Sequence, residues 1–253
     1  LMRGQHRVER AGVVWDLDLR CWAQRSVFYF GWFERNETRF FEACVQPGWT
    51  VVDAGANFGY YSLLAGKKVT SSGCVHAFEP STPVYEQLVN NIRLNSIGWV
   101  HPAKVALGDT ERVEVMPIPE RYNQTLQGIG SPGQPNTEEV KVRTLDSFAA
   151  DLNIQAIHLI KADIEGYEVH FLKGAREVIR EFRPILMLEL NPATLERYGA
   201  CAEDLIGLVT SYGYEIFEIE GRQLRKLAKV PRHGSYINAV AFHRKDRRSW
   251  LFV

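Results

Sequence analysis

The sequence predicts a single α/β domain: a mostly parallel, twisted sheet of seven strands with an antiparallel strand at its end, helices on both faces, and a small N-terminal β addition. Three observations carry this reading. The β-branched run Val51-Val52-Asp53 enters a turn with glycines at Gly55 and Gly59, followed by a helical stretch. Strand, glycine turn and helix make the first unit of a nucleotide-binding α/β sheet. A second apolar strand, residues 74–78, stops at Glu79-Pro80, where an acid is placed to accept from ribose hydroxyls. Two late strands, 214–219 and 237–242, have no helix-length apolar segment between them, so they should pair antiparallel.

In chain order, residues 8–19 alternate apolar and polar side chains across Gly12 and read as a hairpin. Residues 29–33 are rich in aromatics, which suits a core, and Asn36 is placed to cap a helix through Val45. Pro47-Gly48 breaks that helix. Residues 1–46 are thus a hairpin with a lead-in helix, and 47–253 form the main domain. After strand one come a helix from Tyr60, strand two, a helix over 83–95 and a third strand, 103–107, ending in Gly108-Asp109. Residues 113–116 and 140–142 flank a loop, 117–136, rich in Pro, Gly, Asn and Gln. Loops of that length serve as lids or are disordered. Strand four covers 157–162 and strand five 185–190; no internal repeat is present.

Composition agrees. Of 253 residues, 45% are hydrophobic, enough for a full core. Thirty basic residues balance thirty acidic ones, so no global field recruits nucleic acid. The basic run 244–248 reads as a solvated tail. Four scattered cysteines form no C-x-x-C pair and read as reduced thiols. No apolar run approaches the ~18 residues of a membrane span, and the N-terminus is polar rather than signal-like. The expectation is a cytoplasmic protein with a small-molecule or glycan partner.

Charge at the turn selects the ligand. In the dinucleotide fingerprint, glycines carry a pyrophosphate onto a helix N-terminus. Here Asp53 precedes the first glycine and would repel it. A carboxylate there suits a ligand with ammonium and sulfonium groups, and S-adenosylmethionine has both. Asp53, Gly55, Asn57 and Gly59 would surround its methionyl part, Glu79 the ribose, and Asp109 the adenine amino edge. Gly-Asp is also a common turn pair.

These residues carry a resemblance. VVDAGANFGYYS (51–62), FEP (78–80), ALGD (106–109) and IKADIEGYEVHFLKGA (160–175) resemble the FkbM family of S-adenosylmethionine-dependent methyltransferases, over about Val8 to His243. The resemblance implies the class I, Rossmann-like methyltransferase fold and O-methylation of a sugar or natural-product hydroxyl. Ala162 departs mildly from the aliphatic residue usual there, and no acceptor is named by the likeness.

Chemistry is expected where strands four and five stop, beside the cofactor crevice. Lys161, Asp163, Glu165 and Glu189 converge there. Methyl transfer to oxygen needs the hydroxyl aligned and its proton removed. Asp163 or Glu189 could be the base, with a pKa raised by burial and a neighbouring carboxylate; a structural ion pair or helix cap is the plainer reading of Lys161 and Glu165. His158 reads as a satisfied core histidine, and His170 as a lesser candidate base. Asp163, Glu189 and Asn191 are also oxygen ligands suited to Mg²⁺, although the set lacks close acid pairs. An NAD-dependent oxidoreductase and a non-catalytic cofactor-binding scaffold are the alternatives.

Overall fold

A computed structural model describes residues 4–118, 136–231 and 233–246. The chain opens with β1 (Gln5–Arg10) and β2 (Val13–Asp18), then α1 (Trp22–Phe30) and α2 (Arg35–Cys44). Next come β3 (Thr50–Ala54), α3 (Tyr60–Val69), β4 (Cys74–Phe78), α4 (Thr82–Asn95) and β5 (Val100–Ala103). The middle holds β6 (Ala106–Leu107), β7 (Arg112–Pro117), β8 (Thr137–Arg143) and α5 (Leu145–Asp151). There follow β9 (Leu159–Ala162), α6 (Glu168–Gly174), α7 (Arg176–Phe182), β10 (Ile185–Leu190) and the short α8 (Pro192–Leu195). The chain then forms α9 (Ala202–Ser211), β11 (Tyr214–Glu220), β12 (Gln223–Lys226) and β13 (Ile237–His243).

The central sheet runs β12-β11-β13-β10-β9-β3-β4-β5. Strands β5, β4, β3, β9 and β10 pair in parallel, and β13 inserts antiparallel between β10 and β11. This is the class I methyltransferase arrangement. Its inner strands are covered on both faces and read as unbroken apolar runs: Val51, Val52, Leu159, Ile160 and Leu186 are wholly buried.

Two expectations about the sheets need correction. The sheet has eight strands rather than seven, because the polar segment after Gly221 folds back on β11 as β12. The third strand is not continuous over 103–107. The chain leaves the sheet after Ala103, and Ala106–Leu107 pairs with β8 in a separate three-stranded sheet, β6-β8-β7.

The N-terminal hairpin forms as its alternation dictates, with Val13, Trp15 and Leu17 buried. Two asparagines of α4 satisfy its outer backbone: Val14 N donates to Asn95 Oδ1 and Asp16 N to Asn91 Oδ1, both at 2.8 Å. Helix α1 was not expected from the aromatic run, and Tyr29 and Phe30 are exposed rather than core. Asn36 is not a cap. Helix α2 starts two residues earlier, after Glu34, which takes a left-handed conformation (φ +47°).

The expected loop closes at its base, where Ile118 N donates to Asn136 O at 2.9 Å. Residues 119–135, and Arg247 and Arg248 of the basic run, lie outside the described residues. All four cysteines are free. Among the described residues no helix is long and apolar enough to cross a membrane.

Candidate active site

The site forms at the carboxyl edge of β4, β3 and β9. Parallel register sets Asp53 beside Lys161 and Ala54 beside Ala162. Beyond β3 the turn is pinned under β4: Gly55 N and Ala56 N both donate to Phe78 O, at 3.0 and 2.9 Å. Gly55 has φ +77°, and a Cβ there would stand 2.0 Å from the Asp163 carbonyl oxygen. Its glycine character therefore serves the close passage of the β3 and β9 turns, as well as any ligand.

Glu79 clamps this turn. Its Oε2 accepts from Asn57 N and its Oε1 from Ser81 N, each at 3.0 Å. Burial pushes its carboxyl up to about 7, against the lowering effect of those two N–H donors. Asp53 is 1% exposed; its Oδ2 accepts from Ser62 Oγ at 2.6 Å, while Oδ1 has no hydrogen-bond partner. Burial raises the Asp53 carboxyl, opposed by the charge of Lys161 and the Ser62 bond.

Lys161 is buried, with Nζ 3.1 Å from Asp163 Oδ2 and 4.6 Å above the Tyr61 ring. Burial works against its charge, but Asp163, Asp53 and Glu34 together hold the ammonium above its ordinary range. The turn leaving β9 is strained at Glu165 (φ +57°) and tied by Glu168, whose Oε1 accepts from Ile164 N at 3.0 Å. Burial, then the charges of Asp163, Glu189 and Glu168, push Glu165 up to about 9. Burial and Asp163 likewise raise Glu189, whose Oε1 accepts from Asn191 Nδ2 at 3.3 Å.

One cavity collects Asp53, Gly55, Asn57, Glu79, Lys161, Asp163 and Glu165. Val105, Leu107 and Met116 add an apolar part to its lining. Three expected residues are not in its lining. Gly59 begins α3 with φ +96°, and a Cβ there would meet Leu88 Cδ1 at 2.8 Å, so it serves the packing of α3 on α4. Glu189 lies farther along β10, opposite Asn238. Asp109 is drawn away because β6 left the central sheet. Its carboxylate binds Arg112 Nη1 and His170 Nδ1, both at 2.9 Å.

His170 is thereby occupied as well, and stacks on Tyr167. His158 Nδ1 accepts from Thr50 N at 3.0 Å, a satisfied histidine as expected. Among the described residues no group of three or more His, Cys, Asp or Glu side chains is disposed to hold a metal ion.

Three contributors went unread in the sequence. Tyr61 sits inside the turn motif, and Tyr61 Oη donates to Glu34 Oε2 at 2.9 Å. Glu34, whose Oε1 accepts from Asn238 Nδ2 at 3.1 Å, comes from the N-terminal segment, and no spacing signals it. Glu168 was readable in principle, as an acid one turn beyond a glycine turn. Three of the eight non-glycine residues with positive φ among the described residues lie here: Glu34, Asn57 and Glu165. Such strain concentrates at functional sites.

Comparison with known proteins gives this geometry its family. The Methyltransferase FkbM domain matches residues 53–216. Methyltransferase 1 of Beauveria bassiana is 26% identical over 143 residues, 49% of this chain and 57% of that protein. Methyltransferase sdnD of Sordaria araneosa is 27% identical over 157 residues, covering 50% and 60%. The chain thus spans less than two thirds of the length of either fungal relative. Among solved structures, Methyltransferase FkbM from Methylobacillus flagellatus KT is 20% identical with a TM-score of 0.48, over 81% of this chain and 50% of that one. The matched span begins at Asp53 and takes in the β3 turn, Glu79 and the whole exit of β9, which supply most of the cavity's lining, while Ala23 and Phe33 come from before it. On that match the chain belongs to the FkbM methyltransferase family.

Proposed function

We propose that the protein is an S-adenosylmethionine-dependent O-methyltransferase acting on a hydroxyl of a sugar or natural product. One observation carries the reading: the buried, unpartnered Oδ1 of Asp53 shares a cavity with Glu79. An orphaned buried acceptor is costly unless something donates to it, and an α-ammonium group is such a donor. Each Glu79 oxygen accepts one backbone N–H and keeps a lone pair for a ribose hydroxyl. The apolar wall of Val105, Leu107 and Met116 suits a purine face in place of Asp109. When bound, the cofactor supplies an electrophilic methyl group on sulfonium.

The acceptor side falls to the β9 exit. Lys161 occupies Asp163 Oδ2, leaving Oδ1 to align the acceptor hydroxyl and receive its proton. Glu165, at about 9, holds its own proton at neutral pH and serves as a hydrogen-bond donor rather than a base. Glu189 shapes the charge from outside the lining.

Calorimetry with S-adenosylhomocysteine tests the reading. It should bind, and Glu79→Ala should weaken it at least about tenfold, the loss of a buried charge-assisted contact. No binding to folded protein overturns the assignment, and NADH binding in its place would favour the oxidoreductase. Binding without turnover on any hydroxylated acceptor favours the scaffold. EDTA should leave turnover unchanged; a loss restored by Mg²⁺ would favour the metal route.

A further inference from the structure

A second cavity, of about 600 Å³, adjoins the first. Phe33 lines both, and Glu34 lines the second while bonding Tyr61 of the first. The second cavity is built from segments outside the family match: α1 and its exit, the start of α2, and residues 218–219 and 236–238. Its aromatic walls are Trp22, Trp32, Phe33 and Tyr236. Trp22 and Tyr236 are 50% and 53% exposed, which gives neither a role in the core. Its charge comes from Glu34, Glu37 and Glu218 against one guanidinium, Arg35. Arg35 already lies 5.3 Å from the Trp32 ring centroid, so that ring holds a cation within the protein itself. No described residue hydrogen-bonds or ion-pairs with the carboxylates of Glu37 or Glu218, in contrast to Glu34.

Aromatic faces with unmatched carboxylates are the chemistry that recognises a substituted ammonium group. The same surroundings disfavour phosphate or carboxylate, which would meet like charge in a partly desolvated cleft. The cavity falls within the size range of small-molecule sites. Glu34, which lines this cavity and bonds Asn238, also accepts from Tyr61, whose ring lies 4.6 Å from the Lys161 ammonium that pairs with Asp163.

We propose that this second cavity is the outer part of the acceptor site and takes a hydroxylated ring bearing a protonated amine, such as an amino sugar or an aminated natural product. The ammonium sits against Trp22 and Tyr236 with Glu37 and Glu218, and a ring hydroxyl points past Glu34 to Asp163. This proposal rests on the methyltransferase reading for what happens to that hydroxyl, but not for the binding itself.

The test is saturation-transfer NMR, with tryptophan fluorescence as a second readout. Glucosamine, glucose and glucose 6-phosphate are the probes, and S-adenosylhomocysteine is titrated into the same samples. Glucosamine should bind at least about tenfold more tightly than glucose, the order of one cation–π contact with a carboxylate partner. Glucose 6-phosphate should not bind. The double variant Glu37→Gln/Glu218→Gln should lose the glucosamine preference and keep its affinity for S-adenosylhomocysteine. Tyr236→Ala, at an exposed position, should weaken glucosamine without disturbing the fold. Equal binding of glucosamine and glucose, or an amine preference that survives the double variant, overturns the proposal. So does S-adenosylhomocysteine binding with no glucosamine binding. Loss of S-adenosylhomocysteine binding alone overturns the cofactor reading and leaves the amine site standing.

Discussion

Gly55 and Gly199 both hold positive φ, +77° and +70°, yet their surroundings differ. A Cβ at Gly55 meets the Asp163 carbonyl oxygen at 2.0 Å, whereas one at Gly199 meets nothing within 4 Å. Gly199→Ala should therefore cost only the left-handed strain, about 1 kcal/mol. Gly55→Ala must also force the β3 and β9 turns apart, and should cost about 3 kcal/mol or more. Urea unfolding of both variants checks this; equal losses would show that the turns yield freely. Asp163→Asn makes a different prediction. It keeps the size of the side chain and removes its basicity, so turnover should fall ~10²–10⁴-fold while S-adenosylhomocysteine binding stays near normal. A retained rate, or failure to fold, would make Asp163 a structural partner of Lys161. Asp53, Gly55, Asn57 and Glu79 were legible in the sequence because strand, turn and acid lie within one local unit. Glu34 was not, since a glutamate's left-handed backbone and its reach to Tyr61 are products of tertiary packing.

At the scale of elements, the sequence showed most where hydrophobic period and punctuation agree. Strands β3, β4 and β10 and helix α4 fell within a residue or two of expectation. The antiparallel β11–β13 pair followed from the missing helix between them. What escaped was any choice between equally good partners. Lys104-Val105 steers the chain off β4 and onto β8, and this single departure displaces Asp109 to Arg112 and His170. Helix α1 was hidden because its aromatic run matches core composition and Cys21 provides no side-chain cap. The hairpin's attachment offers a test. Asn91 is wholly buried; it accepts from Asp16 N at 2.8 Å and donates to Phe58 O at 2.9 Å, so one amide ties β2, the α3 turn and α4 together. Asn91→Ala orphans both groups and should cost about 2–4 kcal/mol. Asn95→Ala, at a half-buried position, should cost about half as much. Negligible losses in both variants on thermal unfolding would show that the hairpin is held by its apolar face alone.

For the whole molecule, the carboxyls crowded around the sheet edge set how stability responds to pH. Burial pushes Glu79 and Glu168 to about 7 and, with Asp163 beside it, Glu165 to about 9, all from an ordinary 4.5. The folded protein therefore keeps protons that the unfolded chain releases near 4.5. Between that pH and the folded values, the native state binds more protons than the unfolded one, so stability must fall as pH rises. Each group contributes at most ~1.4 kcal/mol per pH unit within its own window. The raised Lys161 acts in the same direction, but only at alkaline pH. The melting temperature should thus decline from pH 5 to pH 8, by several degrees for a domain of this size. Glu168→Gln isolates one contributor. The amide oxygen can still accept from Ile164 N, as Oε1 does now at 3.0 Å, while the ionisation is removed. The variant should melt close to the wild type at pH 5 and above it at pH 8, flattening the profile. A wild-type profile that rises over this range, or a variant whose deficit grows with pH, would mean that Glu168 is held charged in the folded state by contacts other than those of the β9 turn.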